Sequence, residues 1–253
     1  MLLICKKNAP VAGQLIDEER RRLANTPGAT VCYDNIQTAV KSKILCYLLD
    51  DQNYLCAYCM RKIYHPNCSE DCKKKSGSKA HIEHYLVRNP SKAYRKNLPS
   101  KMQKYDENAY SLRYENLLAV CSGGEISGQK SSSRCCDKSR KDSIPLRISP
   151  LDRVHIDTLF YRKNGEIGSK NDAYQSDIVD SLRLNSDDFY FCLNRKAVRD
   201  TIAEKVVQHY GKRQLSRDEW TKFKNYLIDS GWESREYYGV VEWWVNRKIA
   251  KAK

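Results

Sequence analysis

The chain has 253 residues, 41% hydrophobic and 30% charged, enough apolar matter for a core and unlike a disordered or collagen-like chain. Its 45 Lys and Arg against 31 Asp and Glu leave a net charge of +14, which biases its partners toward polyanions such as nucleic acid. No apolar run approaches the ~20 residues of a bilayer span, so a cytoplasmic protein with no membrane partner is expected. In that reducing compartment those of the 11 cysteines that stand at motif spacing read as metal ligands rather than disulfides.

Three segments follow in chain order: an N-terminal helical segment (1–53), a cysteine-rich core (54–150) and a C-terminal assembly region (151–253). In the first, residues 15–23 carry a charged helical pattern. Ile36, Val40, Ile44 and Leu48 recur every three to four residues, predicting an amphipathic helix over 35–49. The middle segment is rich in turn residues and poor in long periodic runs, so it needs a staple, and metal is the obvious one. In the last, Asn164-Gly165 between short runs predicts a β-hairpin. Three helices should follow: 195–209 closed by Gly211, a second opened by the capping box Ser216-Arg217-Asp218-Glu219, and a third over 235–250.

Cys56-Ala57-Tyr58-Cys59 places two thiolates on one tight turn, the spacing of a zinc knuckle. No βαβ pattern surrounds it, which argues against a thioredoxin-like redox pair. Cys121 and Cys136 can complete a closed, four-thiolate structural Zn2+ site, with Cys68, Cys72 and Cys135 as competing ligands. Cys5, Cys32, Cys46 and Cys192 lie in or near apolar stretches and read as buried small hydrophobes.

Between the two halves of that set lies His81-Ile82-Glu83-His84-Tyr85. A carboxylate can hold a hard cation and an imidazole can take a proton from water near its own pKa. A Glu-His pair alone reads more readily as surface residues. Together with Leu49-Asp50-Asp51-Gln52-Asn53-Tyr54-Leu55-Cys56-Ala57-Tyr58-Cys59-Met60-Arg61, Glu115-Asn116-Leu117-Leu118-Ala119-Val120-Cys121 and Cys136-Asp137-Lys138-Ser139-Arg140-Lys141-Asp142, it resembles an HNH (ββα-metal) endonuclease. Within that superfamily the spacing is most similar to the PtuB group, nuclease subunits of Septu and retron-associated anti-phage defence. The motifs cover about residues 49–150. The hairpin and Leu182-Arg183-Leu184-Asn185 also resemble that group.

The resemblance implies an α+β fold: a zinc-stapled ββα-metal core between N-terminal helices and a C-terminal hairpin plus helical region. It implies that His84 is the general base, that Glu83 and Asp137 hold catalytic Mg2+ (with Mn2+ as a substitute), and that Asn116 braces the loop and orients His84. It further implies that Cys56, Cys59, Cys121 and Cys136 hold Zn2+. Two positions depart from the commoner pattern: Glu83 stands where Asp is usual, and Asp137 where many relatives have His or Asn. Arg140 or Lys141 takes the usual Lys place. His81, three residues before His84, belongs on the opposite strand face and reads as a phosphate contact or a packed surface residue. His65, His155 and His209 have no nearby sequence partners.

From 73 to 104 basic residues are dense, with Tyr85, Tyr94 and Tyr105 interleaved. Lys92, Arg95 and Lys96 there, with Arg140 and Lys141, are the expected nucleic-acid contacts, and the tyrosines are expected to stack on bases. Two functions compete: a nuclease hydrolysing phosphodiester bonds of DNA or of structured RNA such as tRNA, leaving a 5′-phosphate as the resemblance implies, and a non-catalytic zinc-stapled nucleic-acid-binding or assembly module. The Glu83, His84, Asn116 and Asp137 set favours the first. The resemblance also implies a PtuA-like ABC/SMC-type ATPase as partner, and a retron reverse transcriptase with its DNA–RNA product above it. The apolar residues of the last helix (Tyr237, Tyr238, Val241, Trp243, Trp244 and Ile249) are expected to help dock the ATPase.

Overall fold

The computed structural model describes residues 1–67, 77–98, 100–124, 134–140 and 144–252. Helix α1 (Ala9–Ala24) opens with Pro10, whose fixed φ suits a first turn, and so begins earlier than its charged pattern suggests. It buries Ala12, Ile16, Glu19 and Leu23 along one face. Tyr33–Asn35 form a separate 3₁₀ turn, and helix α2 (Thr38–Asp51) starts only after the extended Ile36. Val40, Ile44, Leu45, Leu48 and Leu49 are its buried apolar residues, and Asp51 is buried at its end.

The end of α2 is pinned to the central sheet by one side chain. Gln52 Nε2 donates to the carbonyls of Leu55 (2.9 Å) and Ala119 (2.7 Å), and its Oε1 accepts from the Ala119 amide at 2.8 Å. The amide thus supplies the ladder bonds that a neighbouring strand would otherwise make. The sheet runs β1 (Ile63–Tyr64), β2 (Ser78–His84), β3 (Leu117–Cys121), with β1 parallel and β3 antiparallel to β2. Every residue of β3 is buried, and Glu83 pairs with Leu118.

Between β2 and β3 lie the short helices α3 (Lys92–Lys96) and α4 (Glu107–Ser111). They surround a satellite core of Tyr94, Leu98 and Tyr105. The second half opens with α5 (Arg153–Asp157) and the expected hairpin, β4 (Leu159–Tyr161) antiparallel to β5 (Ile167–Ser169). Then come α6 (Asp172–Ser176), α7 (Phe191–Tyr210), α8 (Arg217–Asp229) and α9 (Tyr238–Lys251). Gly211 ends α7 at φ +73°, and both halves of the Ser216–Glu219 capping box form.

The architecture is α+β with small sheets. Cys136–Ser139 form a single 3₁₀ turn. One apolar cluster runs from Met1 through the cysteines to Val245, so the three sequence segments share a core. Among the described residues no helix is long and apolar enough to cross a membrane.

Candidate functional site

The turn after α2 brings the first two thiols together. The Met60 amide donates to the Cys56 carbonyl at 3.0 Å, and Met60 adopts φ +62° to close the knuckle. Cys121 arrives at the end of β3, and its amide donates to Cys56 Sγ at 3.4 Å. Cys136, at φ +57°, turns its thiol back toward the other three. All four sulfurs lie within 4.8 Å of one another and all four residues are buried. The close pairs are Cys56–Cys136 at 3.9 Å, Cys59–Cys121 at 3.8 Å and Cys121–Cys136 at 3.7 Å. A tetrahedron with Zn–S bonds of ~2.3 Å has edges of about 3.8 Å, whereas a disulfide needs ~2.05 Å. The set therefore fits a structural zinc ion.

Sequence reasoning missed the cation that accompanies this cluster. Arg61 Nη2 lies 3.5 Å from both Cys121 Sγ and Cys135 Sγ, and its guanidinium sits over the rings of Phe189 and Phe191. Burial works against its charge, but the thiols of Cys59 and Cys121 outweigh it and raise its pKa. Zinc with four thiolates carries a net negative charge, which Arg61 offsets. The available signal was a cation two residues past the CxxC. Cys135 is buried beside Arg61 but outside the quartet, and Cys68 and Cys72 lie outside the described residues. Cys5 and Cys46 are exposed rather than buried, because each sits on the outer side of its apolar stretch, and Cys32 and Cys192 are half-buried.

The turn that aims Cys136 also delivers Asp137 onto one face of β2. Alternation puts His81 and Glu83 on that face and His84 on the other. His81 Nε2 and Asp137 Oδ2 are 2.7 Å apart, while Asp137 Oδ1 is buried with no hydrogen-bond partner. Burial disfavours a charge on His81, and the Asp137 carboxylate outweighs it, raising the histidine pKa. Burial raises the pKa of Glu83, against the pull of Arg140. Arg140 is itself buried, paired with Glu83 and donating to the Tyr85 carbonyl at 3.1 Å. The Tyr58 hydroxyl, buried and unpartnered, feels the charges of Arg140, Glu83 and Asp137, and so links the knuckle to the acidic face. This face therefore carries one orphaned carboxylate oxygen, on Asp137, and the half-buried Glu83 carboxylate, which Arg140 engages.

His84 lies elsewhere. It is 5% exposed, its Nε2 bonds the Ser111 carbonyl at 3.2 Å, and its ring meets Tyr33 edge-on at 4.5 Å. Burial, with Arg88 adding, lowers its pKa to about 3. The structure therefore does not bring His84 to the carboxylates; His81 occupies that place. Asn116 does brace the loop after β2: Oδ1 accepts from the Leu86 amide at 2.7 Å, and Nδ2 donates to the carbonyls of Leu86 and Tyr110.

The expected nucleic-acid contacts divide. Lys92 and Lys96 are exposed. Arg95 instead holds its own loop through Glu107 at 2.6 Å, Arg140 faces inward, and Lys141 lies outside the described residues, as do Lys73, Lys74 and Lys75. The interleaved tyrosines are not stacking platforms. Tyr94 and Tyr105 are the satellite core, and the Tyr85 hydroxyl donates to the Leu146 carbonyl at 2.9 Å. A loop this long between strands needs its own apolar anchor, and the tyrosines supply it. His65 and His155 do have partners, accepting at Nδ1 from the amides of Asn67 and Ser149. Compared with known proteins, the chain matches no family model and no curated protein.

Proposed function

We propose that this chain is a zinc-stapled, metal-dependent endonuclease whose working face is His81, Glu83 and Asp137. The observation that carries the reading is the divided Asp137 carboxylate, with one oxygen on His81 and the other buried without a partner. A pure binding module has no use for that arrangement. With Nε2–H donated to Asp137, His81 keeps Nδ1 free to accept a proton from water, and the carboxylate fixes that tautomer. Glu83 and Asp137 would hold Mg2+ or Mn2+, which when bound neutralises charge developing on the scissile phosphate and its leaving oxygen. Arg140 locks Glu83 to the backbone of the following loop, and Tyr58 covers the inner side.

A second assignment keeps His84 as the base. It is favoured by a low pKa, which keeps the ring neutral, and by the edge contact of Tyr33, whose neighbour Asp34 pairs with Arg88 at the surface. Cleavage assays in magnesium separate the two. His81→Asn should lose at least ~100-fold in rate while His84→Asn, refolded with full zinc, retains most of it. The opposite order, with Tyr33→Ala raising activity, would move the base to His84. DNA and structured RNA such as tRNA are both candidate substrates. The resemblance to the PtuB group further supports an anti-phage role gated by a PtuA-like ATPase, with a retron reverse transcriptase as an additional component. Pull-down from cells expressing both proteins tests the ATPase contact.

A further inference from the structure

A large groove lies far from the acidic face in sequence and apart from the site described above. It encloses about 930 Å³ between the β4–β5 hairpin, α7 and α9, and its lining comprises eight Lys or Arg and four aromatic residues, with no carboxylate. Of those cations, Arg162, Lys196 and Arg199 have acidic neighbours, Glu166 and Asp200. Among the described residues the other five, including Lys170, Arg247 and Lys251, make no ion pair within 4 Å.

Rings and cations alternate along this groove. On α9, Arg247 lies 5.4 Å from the Trp243 ring centroid and Lys248 lies 5.2 Å from that of Trp244, both at i,i+4 spacing. Just past β4, Arg162 follows Phe160 by two residues and lies over its ring at 5.7 Å. Trp243 and Trp244 are only half-buried, packed on the core and meeting Tyr161 and Trp220 edge-on. Aromatic faces beside regularly spaced cations suit a ligand with flat π surfaces joined by phosphates. A duplex hides its base faces, and an acidic peptide has no use for the rings.

We propose that this groove is a second nucleic-acid site, which binds single-stranded DNA or RNA by stacking bases on Phe160, Trp243 and Trp244 and pairing phosphates with the flanking cations. The inference stands apart from the nuclease reading, because it requires binding and no cleavage.

The test titrates the full chain, without magnesium, with a fluorescent 12-nucleotide single strand, following both anisotropy and tryptophan emission. Wild type should bind and lose tryptophan emission. The triple charge reversal Lys170→Glu/Arg247→Glu/Lys251→Glu, all at exposed positions, should weaken binding at least tenfold. It should also flatten the salt slope by about 2, since each single-strand phosphate contact contributes ~0.7. Trp243→Ala should weaken binding at least fivefold. Unchanged affinity in the triple variant would overturn the proposal. So would equal binding of a same-length duplex or of polyglutamate without loss of tryptophan emission. Zinc content and thermal melting of each variant confirm that it is folded.

Discussion

Four buried thiols cost desolvation if ionised and make poor hydrogen bonds if neutral, so their convergence within 4.8 Å suits a metal dication. Cys56→Ser should drop bound zinc from about one per chain to near zero and lower solubility with it; equal zinc in that variant by metal analysis would refute the assignment. The thiol spacing was legible in the sequence because CxxC is local and β3 ends on Cys121. Arg61, Tyr58 and the His81–Asp137 pair were not, because each acquires its role from residues brought close only by the fold. His84 was legible as chemistry but misplaced: strand alternation turns it to the Tyr33 side. Its buried ring makes a pH prediction. The folded pKa is about 3 against an ordinary 6.5, so the unfolded chain binds the extra proton between those values. Stability is therefore full above pH ~6.5 and falls as pH drops toward 3, by up to about 5 kcal/mol. His84→Asn should flatten this acid limb in urea melts taken from pH 7 to pH 4.

The hairpin shows which elements a sequence can specify. Asn164-Gly165 demands a tight turn, and Gly165 adopts φ +91° with the Cys192 carbonyl packed against it. A Cβ there would lie 1.9 Å from that oxygen, an impossible contact, so backbone must move. Gly165→Ala should cost at least ~2 kcal/mol, read as a lower urea midpoint with unchanged slope; an unchanged midpoint would mean that the turn is not held by α7. Helices α7, α8 and α9 were likewise legible from caps and periodicity. The loop between β2 and β3 was not. Its tyrosines and cations have the composition of a nucleic-acid cradle, yet Tyr94 and Tyr105 turn inward to give the loop a core. The accessible pairing of rings with cations lies instead at β4 and α9, segments more than seventy residues apart in the chain, where no local pattern could reveal it.

At the scale of the whole molecule, the C-terminal helices are part of the zinc core and not an appendage. Glu236 accepts from the Lys62 amide at 2.7 Å, the Tyr237 amide donates to the Met60 carbonyl at 3.0 Å, and Gly239 lies against Met60. Tyr237, Tyr238 and Val241, which the sequence offers as docking residues, are spent on this contact. Truncation after Lys212 should therefore cost zinc and solubility together, not merely a partner. A soluble truncated chain with one zinc would show that α8 and α9 are dispensable. The central claim is that the Glu83–Asp137 face hydrolyses phosphodiester bonds with a second metal ion. Digestion of plasmid and total RNA, with the ATPase partner present and zinc assayed in the same preparations, tests it most directly. Wild type should cleave at least one substrate only when magnesium is added, and Glu83→Gln, still carrying one zinc per chain, should not. Identical, magnesium-independent results for the two proteins on both substrates would contradict the account.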